Sequence, residues 1–439
     1  MITSKHKELA LWAKDFLLKN NVQACRIGLY SGTDRTFDIR DNHIEHLQQA
    51  EENQLVAYLF VDGRYGSFST NRLERHELET FFRQSIASTR LLAADEARQL
   101  PDPSRYFHGN DLFLSLYDPQ IATMDADEKL QLAFAAANEV DRSDPTIISV
   151  ASSYGDNESF SYVVDSNGLE AESASSSCGL SVSVSVKGDG DARPESYWYD
   201  QVVDWQSLAK SGIGTKALQR ALMKKGQRKI QSGAYQMVID ATEVRTLLSP
   251  LLNALFGSSI QQNNSFLKDK IGQQVASDCF TLTDDPLLPK TIGARCFDRE
   301  GVALKPMTLF SNGMLQHYYI DTYHAHKLQI EPTTGSPSVL RFALGKANQA
   351  ELLQQMHRGI YITGFNGGNC NSSTGNFSYG IEGFWIENGI IQYPISEMNI
   401  TGNMLTLWSR LLAVGNDPFM ASSWQTPTLL FDAADFSGL

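Results

Sequence analysis

Few residues in this chain stand at spacings that make chemistry. His43 and His46 lie three apart in a strand-like stretch, so their imidazoles leave on opposite faces and the pair reads as an exposed hairpin. His324 and His326 lie two apart and share a face if their stretch is a strand. Asp321 then falls on the other face, and no thiol is close in sequence. Tyr318, Tyr319 and Tyr323 flank this pair, which fits a packed surface better than a metal site. No HExxH occurs. Ser265 and Lys268 match the SxxK of serine–lysine hydrolases, but no SDN accompanies them and Lys290-Thr291-Ile292-Gly293 only approximates KTG. There is no GxSxG elbow, and none of the cysteines has the local signature of a thiol protease.

The acids cluster twice, in Asp284-Asp285-Pro286 and Asp298-Arg299-Glu300-Gly301. Adjacent carboxylates can hold a cation or share a proton; in these turn contexts they read as caps on backbone amides. The stretch Gly367 to Gly380, GGNCNSSTGNFSYG, reads as a long polar loop. Such a loop is either a flexible excursion or a close-approach surface, and a lined cleft is the preferred expectation.

These groups need elements to position them. A helix is predicted over Ser4–Lys19, capped by Ser4, with Leu9, Trp12, Ala13, Phe16 and Leu17 on one stripe. Strands follow at Ala24–Tyr30, Thr36–Arg40 and Leu55–Val61, then a hairpin at Asp62-Gly63 into Gly66–Thr70. Arg72–Ala93 returns to helical spacing. Leu100–Pro119, holding Pro101 and Pro103, reads as a linker. A helix at Asp125–Val140 precedes strands at Ile147–Tyr154, Ser159–Asp165 and Leu180–Lys187, and a helix at Asp204–Lys224. From Ala234 the pattern turns β-rich, with a strand at Gln236–Asp240, a helix at Glu243–Phe256 capped by Thr242, and turns at Asn312-Gly313 and Asn388-Gly389. Pro250 predicts that this last helix begins near it or kinks before it. The expected fold is α+β, with N-terminal α/β units at 1–100 and 101–230 followed by a large β-rich C-terminal domain at 231–439.

The chain has 439 residues, 42% hydrophobic and 20% charged, which is enough for two or three cores. A net charge of -13 repels phosphate backbones and argues against direct nucleic-acid binding. The densest basic stretch, Lys216 to Lys229, reads as the polar face of a helix. No secretory signal or membrane span is expected. Five cysteines, scattered and never CxxC, fit reduced thiols in the cytoplasm.

Several landmarks recur in order through the C-terminal part: Asp284-Asp285-Pro286, Cys296 to Gly301, Leu309 to Leu315, Pro332-Thr333-Thr334-Gly335, Gly359 to Thr363, Ser373 to Ser378, Gly383 to Gly389, Thr401-Gly402-Asn403 and Val414 to Asp417. Earlier, Val61 to Gly66 and Asp165 to Gly168 match more loosely. In these the chain resembles the TldD/PmbA family, once called modulators of DNA gyrase. The resemblance implies a zinc-peptidase relationship, with HExxxH on a helix and a cysteine near the C-terminus of the catalytic subunit. An ungapped alignment on Ser265 and Gly272 sets that motif on Leu248 to Asn253, with Leu248 and Asn253 at the histidines and Ser249 at the glutamate. Past Asn416-Asp417 no cysteine follows. The resemblance therefore implies a TldE/PmbA-like subunit with no catalytic residue and no metal of its own. It also implies a TldD-like zinc-binding partner, zinc only in that partner, and peptide substrates. Ser373, Thr374, Gly375, Asn376, Phe377 and Ser378 become the candidate peptide-cleft loop. The alternative is a self-standing homodimeric peptide-binding or scaffold protein. A hydrolase using Ser265 and Lys268 is a third possibility.

Overall fold

The computed structural model describes residues 2–109 and 111–439. Met1 and Asn110, which fall at the predicted amphipathic N-terminus and in the predicted linker, lie outside them. The fold is α+β. Helix α1 (Ser4–Lys19) is capped by Thr3 rather than Ser4. The Thr3 hydroxyl accepts from the His6 amide, and the His6 ring accepts from the Thr3 amide. Strands β1 (Ala24–Arg40), β2 (His43–Val61) and β3 (Arg64–Thr70) follow, then α2 (Arg75–Thr89). The Asp62-Gly63 turn is the predicted tight hairpin, both residues having positive φ. Next come α3 (Pro119–Thr123), α4 (Ala126–Ala137), β4 (Ile147–Asp165), β5 (Glu170–Val186) and β6 (Glu195–Val202). A 3₁₀ turn at Trp205–Ser207 and α5 (Ile213–Met223) replace the single helix predicted over Asp204–Lys224. The predicted gaps within β1 and within β4 do not exist. Polar pairs fill them: Arg35 of β1 bonds Asp156 and Glu158 of β4, so the ladder continues through a polar stretch that breaks the alternation of hydropathy.

All six strands form one antiparallel sheet in the order β3-β2-β1-β4-β5-β6, so residues on both sides of position 100 share it. Its inner face carries two apolar clusters, one under α1 and α2 around Ile27 and Phe82, the other under α4 and α5 around Tyr154 and Leu180. On β1 the odd-numbered residues enter these cores, which leaves Arg26 on the outer face beside Tyr58 of β2 and Asp165 of β4.

The second half opens with β7 (Gly233–Ile239), α6 (Val244–Ala254) and α7 (Gly257–Gln261). Strands β8 (Leu282–Asp284), β9 (Met307–Ser311), β10 (Met314–Leu315), helix α8 (Thr322–Leu328), β11 (Leu340–Phe342) and helix α9 (Gln349–Gln355) follow. Then come β12 (Arg358–Cys370), β13 (Asn376–Glu387), β14 (Ile390–Asn403), α10 (Met404–Ser409), β15 (Leu411–Val414), β16 (Trp424–Gln425) and β17 (Leu429–Ser437). One sheet runs β14-β13-β12-β7-β17-β15, and β14 also pairs with β17, so five of its strands close into a ring of pairings. A smaller sheet runs β10-β9-β8-β11-β16. The largest apolar cluster lies between them and contains most of α6. Among the described residues no helix is long and apolar enough to cross a membrane.

Candidate functional site

The sequence-derived candidates scatter in the fold. His43 and His46 are exposed on β2. His324 and His326 are helical, not on a strand. Asp321 caps α8 and accepts from both the amide and the ring of His324, each at 2.7 Å, because a helix cap brings residues three apart together. Ser265 is buried and donates to the Ala254 carbonyl at 2.6 Å, while the Lys268 ammonium bonds Asn263, so the two do not form a dyad. Asp298 does cap a turn, accepting from the Glu300 and Val302 amides. Asp284 instead ends β8, buried against the Ser338 amide and the Tyr319 hydroxyl; burial pushes its pKa up to about 6.

The Gly367–Gly380 stretch is no long loop. Strands β12 and β13 extend into it, leaving only Asn371–Gly375 as a turn. Serine, asparagine and glycine hid the strands; the Asn371 side chain caps the Ser373 and Thr374 amides instead of breaking the ladder. Ser373 donates to Asn264 at 2.8 Å, and Gly375, at φ +77°, sits against the Phe266 ring. Asn403 holds Thr374 and Asn376, Phe377 is buried in the core, and Ser378 is exposed. The hairpin tip is thus pinned to the segment that follows α6 and α7.

Helix α6 begins at Val244, well before Pro250, which sits in its interior. Thr242 does not cap it; its hydroxyl donates to Asp240 at 2.6 Å. Pro in a helix interior costs about 3 kcal/mol. Leu247, Leu248, Leu251, Leu252 and Leu255 are all buried around it, and at about 1.5–3 kcal/mol each they outweigh that cost. Leu248 has no exposed surface, Ser249 is half-buried, and Asn253 is exposed. A zinc ion needs imidazole, thiolate or carboxylate donors. Leucine offers none, and among the described residues no three His, Cys, Asp or Glu side chains gather to hold a metal. The residues present do not fit the group.

The polar site lies one turn earlier in the chain. Strand β7 ends at Ile239; the amide of the next residue, Asp240, donates to the Ile362 carbonyl of β12, and the backbone turns there into α6. A cleft of about 480 Å³ opens at this point between α5, the β7–α6 turn, β12 and the 417–420 segment. Asp240 is buried and saturated. One oxygen takes the Thr242 amide and hydroxyl; the other takes Arg220 at 3.3 Å, Gln349 at 3.2 Å and the Tyr361 hydroxyl. Burial alone would raise its pKa, but Arg220 and these hydrogen bonds outweigh it and hold the carboxyl below its usual range. Glu243, three residues on, has the opposite fate: burial and the neighbouring Asp240 charge push it up to about 7. The far wall is aromatic. Lys216 lies 3.4 Å over the Trp198 ring, and Phe419 meets Trp198 and Tyr199 edge-on. The cleft thus holds one carboxylate fixed in its ionised form beside aromatic walls, and Glu243, with its raised pKa, follows directly on the turn that lines it.

Sequence reasoning missed this cleft. The Asp-x-Thr at the end of an apolar strand was available as a clue, as was the i, i+4 pair of Lys216 and Arg220. That basic stretch is not merely a solvated face: Arg220 reaches Asp240 and Lys224 pairs with Glu382.

Residues 25–89, 119–225 and 232–438 match the first, central and C-terminal domain models of the PmbA/TldA metallopeptidases. The chain is 28% identical to Metalloprotease PmbA of Escherichia coli O157:H7, over 91% of this chain and 89% of that protein. The PmbA homolog of Haemophilus influenzae matches at the same identity and coverage. In structure it superposes on a Bacteroides thetaiotaomicron protein named as a modulator of DNA gyrase, with TM-score 0.98 and 52% identity over the whole of both chains. It shares the fold of TldE from Thermococcus kodakarensis, with TM-score 0.85 and 20% identity over 98% of this chain and 99% of that one. With three domain models matched along most of its length, the chain belongs to the PmbA/TldD metallopeptidase family.

Proposed function

We propose that this chain is the non-catalytic, TldE/PmbA-like subunit of a cytoplasmic zinc metallopeptidase that degrades unfolded or short peptides. A TldD-like partner supplies the metal, the attacking water and the general base. The observation that carries this is Leu248: at the position aligned with the first histidine of HExxxH stands a fully buried, donor-free side chain within the largest apolar cluster. This chain contributes part of the chamber wall. The cleft beside Asp240 offers aromatic faces to a peptide's side chains, and the hairpin tip from Ser373 to Ser378 borders the former metal helix. Its own residues hold and orient the peptide; Asp240 stays ionised, and no step of bond cleavage runs through them.

Co-expression with an HExxxH-bearing relative tests the pairing. The expected result is a stable complex that hydrolyses an unfolded peptide, from two components that do so separately not at all or far more slowly. If no complex forms and the chain instead purifies as a peptide-binding homodimer, the scaffold alternative replaces this one.

A further inference from the structure

On the outer face of the first sheet, three guanidinium groups converge on one small cavity. It measures about 130 Å³ and is lined by Arg26 of β1, Arg98 and Arg299, with Tyr58, Tyr65 and Tyr323 around them. In a chain of net charge -13 such a concentration of positive charge is out of keeping with the rest of the surface. Two of the family-like landmarks meet there, since Tyr65 comes from the hairpin after β2 and Arg299 from the turn capped by Asp298.

We infer that this cavity binds a small oxyanion, the phosphate or carboxylate group of a ligand. The first reason is an unmet need. Arg26 is 6% exposed, and its Nε and Nη2 are buried without a hydrogen-bond partner among the described residues. Among the described residues only Nη1 has a hydrogen-bond acceptor, the Arg299 carbonyl at 3.3 Å. Both atoms are sealed from the cavity, so what Arg26 offers a ligand there is its charge, and a buried guanidinium whose nearest carboxylate stands at 3.8 Å gains from a further anion close by. Second, the nearby carboxylates are already engaged. Asp165 is 3.8 Å from Arg26 Nη2 but accepts from the Tyr106 hydroxyl and from the Asn167 and Leu169 amides. Glu300 accepts from the Thr322 amide and hydroxyl, both at 2.9 Å. Burial raises its pKa, which weakens its competition for the arginines. Third, Arg98 is held in place without an ion pair: its guanidinium lies 3.5 Å from the Tyr323 ring centre and 4.9 Å from that of Tyr65. Arg299 likewise has no ion-pair partner among the described residues. Planar guanidinium donors arranged around a void match the oxygens of a phosphate or carboxylate. The inference does not depend on pairing with another subunit.

Thermal unfolding of the full chain tests it, with sodium phosphate titrated against chloride of matched ionic strength. A ligand that binds only the folded state raises the midpoint with the logarithm of its concentration once that exceeds Kd. R98Q and R299Q alter half-buried and exposed side chains, so they should fold; each is expected to weaken the phosphate response at least tenfold while leaving the anion-free midpoint nearly unchanged. A parallel titration uses a dipeptide with a free C-terminus and its amidated form. A response to phosphate alone identifies a phosphate site; a response to the free but not the amidated dipeptide identifies a peptide-terminus site. If neither probe raises the midpoint beyond chloride, or if both variants respond as the wild type does, the inference is overturned.

Discussion

Helix α6 and the turn that feeds it lie within fifteen residues, yet their environments are opposite. The helix body is dry: leucines fill it, and the position aligned with a metal-binding histidine is sealed in apolar packing. The turn at Asp240–Glu243 is polar and titratable, and its Asp240–Thr242 part lines a cleft. A catalytic metal helix must keep donors facing a wet cleft. Burying leucines stabilises the helix body, while the adjoining strand–turn–helix corner keeps its buried charges because they tie α5, β7, α9 and β12 together.

Three variants sharpen this contrast, from the largest effect down. In the helix body, replacing Leu248 and Asn253 with His and Ser249 with Glu should destabilise the fold by about 3–5 kcal/mol, since an imidazole replaces apolar packing at the fully buried position. Chemical denaturation measures the loss, and equilibrium dialysis should find no tight zinc. A stable variant that binds zinc and cleaves peptides would mean that the site is only dormant. At the turn, Asp240→Ala leaves Arg220 without its carboxylate and the Tyr361 hydroxyl without its acceptor, at a cost of about 2–4 kcal/mol. If denaturation shows a loss under about 0.5 kcal/mol, the corner is not held by its charges.

Glu243 gives the smallest effect, and its signature is a pH dependence across the neutral range. Its carboxyl has a raised pKa in the fold, from 4.5 to about 7, so the native state holds the proton more tightly than the unfolded chain does. That contribution is favourable below about 4.5, declines as pH rises towards 7, and is flat above. Glu243→Gln should remove the decline and raise stability at pH 8 by about 1–2 kcal/mol. Paired denaturation curves at pH 5 and pH 8 measure it; parallel slopes for variant and wild type would contradict the raised pKa.

Sequence patterning carried the longer helices and the tight turns, and missed the short helices, because hydrophobic periodicity needs several turns to show and Asp-Gly or Asn-Gly pairs are local. The leucines of α6 stand at helical spacing and are buried, and Asp62-Gly63, Asn312-Gly313 and Asn388-Gly389 form the hairpins that their residue types predict. Polar strands were not legible. The Arg35 stretch of β1 and the glycine- and asparagine-rich end of β12 take their partners from other strands, and nothing local marks them. Pro250 misled in the other direction, since tertiary packing overrode a local rule. The cleft around Asp240 escaped notice because it joins α5, β7, α9 and β12, four segments spread over some 150 positions, and its basic members look in sequence like any solvated helix face.

The most direct test of the central claim is zinc content, measured by plasma mass spectrometry on chain purified without chelator, alone and together with its HExxxH-bearing relative, with peptide hydrolysis followed on the same samples. The expected result is no stoichiometric zinc and no hydrolysis for the chain alone. In the complex, zinc should appear in proportion to the relative, with hydrolysis abolished by chelator. Stoichiometric zinc bound to this chain alone, with chelator-sensitive cleavage of an unfolded peptide, would contradict it.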